Sequence, residues 1–209
     1  MIRIGIIGEN FRNDACAFKA FLTPQYEGKI ELVPLFNSFS KGVPAFSKII
    51  RSMPTEIQKQ QLDALLCMLD LDEHRKRGER NQWFKEIQKG ISIRSIFFLA
   101  VMELEALILA DIDTFNKIYG ITGRYDKDPK LNTDPKKELR GRTDLSSKAK
   151  RKYEEKHAFE IFEKLHFDIV YKKHKEEDSF QAFIDSFEVE FKINPTTKER
   201  LKKTKGKER

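Results

Sequence analysis

The chain has 209 residues, of which 35% are charged, and its mean hydropathy is −0.59. That length supports one substantial core, or a core with a small appendage, and seventeen phenylalanines supply material for it. No apolar run approaches the roughly 18 residues of a membrane span, so no membrane association is expected.

The start, Met1-Ile2-Arg3-Ile4, lacks the apolar stretch and small-residue cleavage site of a secretory signal. Cys16 and Cys67 both lie in apolar sequence. They read as buried reduced thiols, and no Cys-His spacing supports a catalytic cysteine. A cytoplasmic protein is the expectation. The net charge is +7; residues 192–209 carry +6 of it (eight Lys/Arg, two Glu), and residues 1–191 only +1. The tail therefore reads as a basic, flexible arm, either solubilising or drawn to polyanions by counterion release. A second basic stretch, Lys136 to Lys156, holds nine Lys/Arg and four acids.

In chain order, Ile2–Gly8 reads as a strand ending in a turn. Asp14–Leu22 is a short helix with Ala17, Phe18, Phe21 and Leu22 as its apolar stripe, and Pro24 marks its exit. Ile30–Phe36 is a second strand. Pro44–Arg51 is helical, with Phe46, Ile49 and Ile50 on one face. Leu65–Asp70 is a third strand. Arg80–Lys89 is a helix that buries Trp83, Phe84 and Ile87, and Trp83 reads as packing. Ser95–Met102 is a fourth, wholly apolar strand, followed by a helix over Glu103–Ala110. Residues 121–135 form a loop, and Asp134-Pro135 starts a helix, with Asp as N-cap and Pro at the first position. Ser147–Lys164 reads as a long charged helix with Tyr153, Ala158, Ile161 and Phe162 among its apolar positions. Ser179–Phe191 is the last helix. His157, His166 and His174 lack ligand spacing.

Strands alternating with helices, and apolar on both sides, imply an α/β fold: a parallel sheet with helices on both faces. Residues 1–111 form this core, 112–191 a helical C-terminal subdomain packed on it, and 192–209 the tail. Right-handed crossovers put the strand C-termini at one edge, where open α/β sheets bind ligands. The acids at or beyond strand ends then meet there: Glu9, Asp70, Asp72, Glu103 and Glu105. In extended chain Asp70 and Asp72 share a side, about 7 Å apart. Their hard oxygens suit Mg²⁺ or Mn²⁺ better than zinc. Taken alone, the pair reads more readily as an acidic turn; three strand ends together reverse that preference.

The ordered set of strand-Glu9, strand-Asp70-x-Asp72 and strand-Glu103-x-Glu105 resembles the TOPRIM fold of topoisomerases, primases and OLD-type nucleases. Gly8-Glu9-Asn10 followed by Asp14 looks like a variant of the Glu-Gly-x-Thr-Asp turn of TOPRIM-like nucleases. The stretch from Met102 to Asp111 (Met-Glu-Leu-Glu-Ala-Leu-Ile-Leu-Ala-Asp) looks like the Glu-x-Glu-Ala-Trp-Leu-Leu-Ala-Asp stretch of a small TOPRIM-like family of unknown function. That family is usually encoded beside ATPases in phage-resistance operons, including abortive-infection systems. Asp134-Pro135-Lys136 and Ser179-Phe180-Gln181 also fit its later motifs. The resemblance covers most of residues 1–190. Asn10 stands where the family has glycine, a change expected to stiffen the turn, and Leu107 stands where it has tryptophan.

The resemblance implies a metal-dependent nuclease, the effector of a two-component defence system with an ATPase partner and DNA or RNA as substrate. Glu9, Asp70, Asp72 and Glu105 are the implied catalytic residues, with Glu9 in metal binding or acid/base work. Glu9, Asp70, Asp72, Glu103 and Glu105 are the implied metal ligands. Residues i and i+2 of a helix do not share a face, which favours Glu105 over Glu103 for one site; Glu103 also reads as a helix N-terminal acid. Asp14 could join the site or cap its helix, and the cap is the preferred role. Arg75, Lys76, Arg77 and Arg80 could contact phosphate or form a solvated basic loop, and Lys136 is a phosphate contact by analogy.

The alternative is a non-catalytic TOPRIM-like subunit that binds an ATPase or nucleic acid, since fold does not fix function. Receiver domains and haloacid-dehalogenase phosphatases also gather acids at strand ends. Here only Glu9 follows the first strand, and Asp-x-Asp follows the third rather than the first, so both fit less well. The oligomeric state, a homo-oligomer included, stays open.

Overall fold

The computed structural model describes residues 1–36, 46–71, 77–100, 103–175 and 179–196. Four strands, β1 (Ile2–Ile7), β2 (Ile30–Pro34), β3 (Ala64–Asp70) and β4 (Arg94–Ala100), form an all-parallel sheet in the order β2-β1-β3-β4. The register sets Ile2 against Ile30, Ile7 against Cys67, and Asp70 against Ala100. The fold is therefore α/β, as the alternation of strands and helices implies. The expected part of β4 beyond Ala100 falls on residues 101–102, outside the described residues.

The helices are α1 (Ala17–Leu22), α2 (Phe46–Gln60), α3 (Arg77–Lys89), α4 (Ala106–Ala110), α5 (Ile112–Tyr119), α6 (Pro135–Asp144), α7 (Ala158–Phe162), α8 (Phe167–Lys173) and α9 (Phe180–Phe191). Both faces of the sheet are covered. On one, Ile7, Leu65 and Cys67 pack with Met53 of α2 and Ile87 of α3. On the other, Ile4, Ile6, Leu66 and Met68 join a larger core that α1 and α4–α9 share. Its centre is aromatic: the rings of Phe98 and Phe183 lie 4.5 Å apart, and Phe18 stacks on Phe98 at 5.5 Å. This apolar core runs without a break from the sheet into residues 112–193.

Three elements differ from expectation. The helix α2 continues through Pro54 to Gln60; the buried side chain of Met53 and the packing of Ile57 outweigh the hydrogen bond that the proline cannot donate. Before α1 the chain makes a π-helical turn, Phe11–Cys16. The long helix expected over 147–164 is not formed. Residues 146–154 follow an irregular path, a single 3₁₀ turn spans Glu155–His157, and α7 is only five residues long. Lys, Arg and Glu favour helix intrinsically, but Tyr153 is buried within this irregular segment, where its backbone N donates to Thr143 Oγ1 and its hydroxyl to Glu105.

The start signals at Asp134 and Ser179 operate as expected. Asp134 accepts from Lys137 N (2.8 Å) and Ser179 Oγ from Ala182 N (3.1 Å). His166 Nδ1 lies 2.9 Å from the buried Asp111 carboxylate and ties α8 to the end of α4.

Candidate functional site

Strand alternation decides which acids meet. Asp70 follows Met68 and Leu66 on the face that carries α1 and α4–α9. The chain reverses direction in the sheet between β1 and β3, running outward to β2 and then back across to β3. Ligands of open α/β sheets bind beyond the strand C-termini at such a point, and Glu9, Asp14 and Asp70 all lie there.

Asp14 reaches the site through a tight turn. Asn10 Oδ1 accepts from the backbone N of Arg12 and Asn13, both at 3.0 Å, and Asp14 Oδ2 in return accepts from Asn10 N at 2.6 Å. Asn10, not Asp14, is thus the cap. Its φ of −121° is ordinary extended backbone, so this turn does not require glycine at position 10. Glycine is needed at position 8 instead, where a Cβ would lie 2.7 Å from Asp14 Cβ. Burial, with the charge of Glu9 adding to it, pushes the Asp14 carboxyl up to about 6 against the opposing Asn10 backbone hydrogen bond.

Asp70 and Glu105 form the centre. Asp70 Oδ1 accepts from Leu104 N at 2.9 Å, and Glu105 Oε1 accepts from the buried Tyr153 hydroxyl at 3.2 Å. Their other oxygens, Asp70 Oδ2 and Glu105 Oε2, stand 3.8 and 3.9 Å from Lys136 Nζ. Both distances exceed a hydrogen bond. Burial and then the Glu105 charge hold Asp70 well above the usual carboxylate range. Burial pushes Glu105 up to about 7, which Lys136 partly opposes.

Glu103 is used differently. Its Oε2 accepts from Lys136 N at 3.1 Å and its Oε1 faces Lys136 Nζ at 3.2 Å. It therefore binds both the first turn of α6 and that turn's side chain, a position the helix dipole favours for a carboxylate. Burial works to lower the Lys136 ammonium, but Glu105, Asp70 and Glu103 reverse this and hold it above its ordinary value.

Of the residues singled out by sequence, Asp70, Glu103, Glu105 and Lys136 come together, and Glu9 lies near enough for its charge to raise the Asp14 and Asp70 carboxyls. Lys136 meets carboxylates rather than standing as an isolated phosphate contact. Arg80 Nη2 lies 3.4 Å from Glu9 Oε1, on the side of the sheet that α3 covers. Arg77 opens α3. Asp72, Arg75 and Lys76 lie outside the described residues. Of the two roles open to Asp14, cap or site, the cap goes to Asn10 and Asp14 stands at the site. One further site residue was not expected. Tyr153 carried no signal, being one apolar position inside a charged run.

Among the described residues no three carboxylate, imidazole or thiol side chains group closely enough to form a coordination shell on their own. The donors are nonetheless all carboxylate oxygens, and two of them share one cationic partner at long distance. That fits Mg²⁺, which commonly takes one or two protein carboxylates and completes its shell with water and phosphate.

No family model, curated protein or solved structure matches the chain. The described helices include none long and apolar enough to cross a membrane.

Proposed function

We propose that the protein is a metal-dependent nuclease of the TOPRIM-like type that hydrolyses DNA or RNA phosphodiester bonds. We propose further that it acts with an ATPase partner in anti-phage defence. The first proposal rests on one observation: Asp70 and Glu105, from different segments, each have one oxygen fixed by a protein donor and the other turned to a shared cationic partner. The ATPase and defence context rest on the sequence resemblance alone.

Asp70 and Glu105 would hold a Mg²⁺ or Mn²⁺, with Glu9 and the neighbouring Asp72 as further candidate ligands, and the ion would neutralise phosphate charge and acidify water. The protein's own groups suit the remaining tasks. Asp14, at about 6, can exchange a proton near neutral pH, as acid/base work on an attacking water or a leaving oxygen requires. Lys136 brings a positive charge, anchored through Glu103, to a site that must accept a phosphodiester. Tyr153 and Leu104 N hold the carboxylates in one orientation, so little reorganisation is needed at the reaction step.

The experiment is incubation of purified protein, alone and with its genomic neighbour, with single- and double-stranded DNA and RNA plus Mg²⁺ or Mn²⁺. Cleavage that is unchanged in Asp70→Asn and Glu105→Gln would remove these residues from the reaction.

A second reading has its own support. Lys136 already supplies a counter-charge to Asp70, Glu103 and Glu105, as in a non-catalytic subunit that keeps the fold to bind an ATPase or nucleic acid. Calorimetric titration separates the two, because this subunit would show no carboxylate-dependent metal binding.

A further inference from the structure

We infer that Lys136 is the site's built-in counter-ion, exchanged for a divalent cation when one binds, and that Glu103 belongs to the lysine rather than to the cation. The inference rests on the metal-site reading above. It is carried by how the carboxylate oxygens are distributed. Both Glu103 oxygens are committed to Lys136, one to its backbone N and one to its Nζ. Asp70 and Glu105 are held by other donors, Leu104 N and Tyr153 OH, and meet Nζ only at 3.8 and 3.9 Å.

The ammonium thus lies between a close clamp and two looser charges. A divalent cation bound by Asp70 Oδ2 and Glu105 Oε2 would lie within a few ångströms of Nζ. Two positive centres that close in a partly buried site repel strongly, so the ammonium withdraws from the two carboxylates that the cation takes. The weaker contacts break first. Lys136 gives up Asp70 and Glu105 while its backbone N–H remains on Glu103 Oε2. Only the side-chain head moves, and α6 keeps its start at Asp134 and Pro135. The displaced ammonium is left beside the cation, placed for whatever anion that cation attracts.

The charge also explains how the fold tolerates Asp70 and Glu105 in apolar surroundings without an ion. A buried carboxylate needs a partner, and one lysine on a helix first turn serves three. Arg80 performs the equivalent task for Glu9.

The test is Mn²⁺ binding by the full chain, read by calorimetry and by the electron paramagnetic resonance of free Mn²⁺, at one fixed pH. Lys136→Met should bind Mn²⁺ at least about tenfold more tightly than the unmodified chain, and Asp70→Asn should lose binding. Binding by Lys136→Met where the unmodified chain binds none would also support the exchange. Equal or weaker binding by Lys136→Met, with Asp70→Asn still inactive in binding, would overturn the exchange and leave the metal site standing. Absence of Mn²⁺ binding in both forms would overturn the exchange and the metal site together.

Amine labelling of the unmodified chain, read by mass spectrometry, needs no substitution and covers a variant that fails to fold. Labelling at Lys136 should rise when Mn²⁺ is added. Labelling that does not change in a chain shown to bind Mn²⁺ would overturn the exchange.

Discussion

Acidification from pH 7.5 to 5 should stabilise this protein, because Asp14 and Glu105 hold protons more tightly folded than unfolded. Asp14 moves from 3.8 to about 6 and Glu105 from 4.5 to about 7, both chiefly through burial. A carboxyl whose folded value is raised gives its full stability below the unfolded value and loses it as pH climbs through the folded value. The window therefore runs from about pH 4 to about pH 7. Proton linkage between pH 5 and 7.5 assigns roughly 1–1.5 kcal/mol to Asp14 and roughly 2–2.5 kcal/mol to Glu105. At about 2–4 °C per kcal/mol for a chain this size, Tm should rise on the order of 10 °C. His157, held below its ordinary value by burial, acts in the opposite direction but is partly exposed, so its effect is smaller. Thermal denaturation followed by circular dichroism in a buffer series measures the effect. Asp14→Asn should flatten part of the slope, and saturating Mg²⁺ should flatten most of it. A Tm that is level or falls between pH 7.5 and 5 would refute the buried, mutually repelling carboxylates on which the site is built.

Tyr153→Phe removes the donor to Glu105 Oε1. It should cost about 1–3 kcal/mol at pH 7.5 and markedly less at pH 5, where Glu105 is protonated; equal losses at both pH values would mean the hydroxyl acts only through packing. Gly8→Ala puts a methyl 2.7 Å from Asp14 Cβ. Denaturant titration should show a loss of about 1–3 kcal/mol, together with a shallower pH slope as Asp14 is displaced. Phe18 is fully buried against Phe21, Phe98, Phe180 and Phe183, so Phe18→Ala should cost about 3–5 kcal/mol. Because that core is continuous across residues 4–193, the variant should still unfold in one transition. Two separated transitions would show that residues 112–191 unfold independently.

The sheet was legible because its strands are short apolar runs, β-branched in β1 and β2, and all four match the chain within a few residues. The gathering of Glu9, Asp70, Glu103 and Glu105 followed from parallel topology alone, since every strand's C-terminus must reach one edge. Capped helix starts were legible for the same local reason: Asp134 and Ser179 satisfy nearby N–H groups with their own side chains. Tyr153 was not legible. Its partner lies 48 positions away, and no spacing within 147–164 distinguishes a buried tyrosine in irregular chain from a helical one. Lys136 was placed on the right helix turn, but its carboxylate partners depend on how α6 docks against Glu103. The cap was the favoured of two roles for Asp14, and it falls to Asn10 instead because the turn before α1 is π-helical.

The most direct test of the central claim is hydrolysis of end-labelled DNA and RNA by the purified chain with its genomic partner, with and without Mg²⁺ or Mn²⁺, beside Asp70→Asn. Cleavage should need the divalent ion and should disappear in Asp70→Asn while the variant keeps its fold. Cleavage that persists in chelator or in Asp70→Asn would contradict that claim.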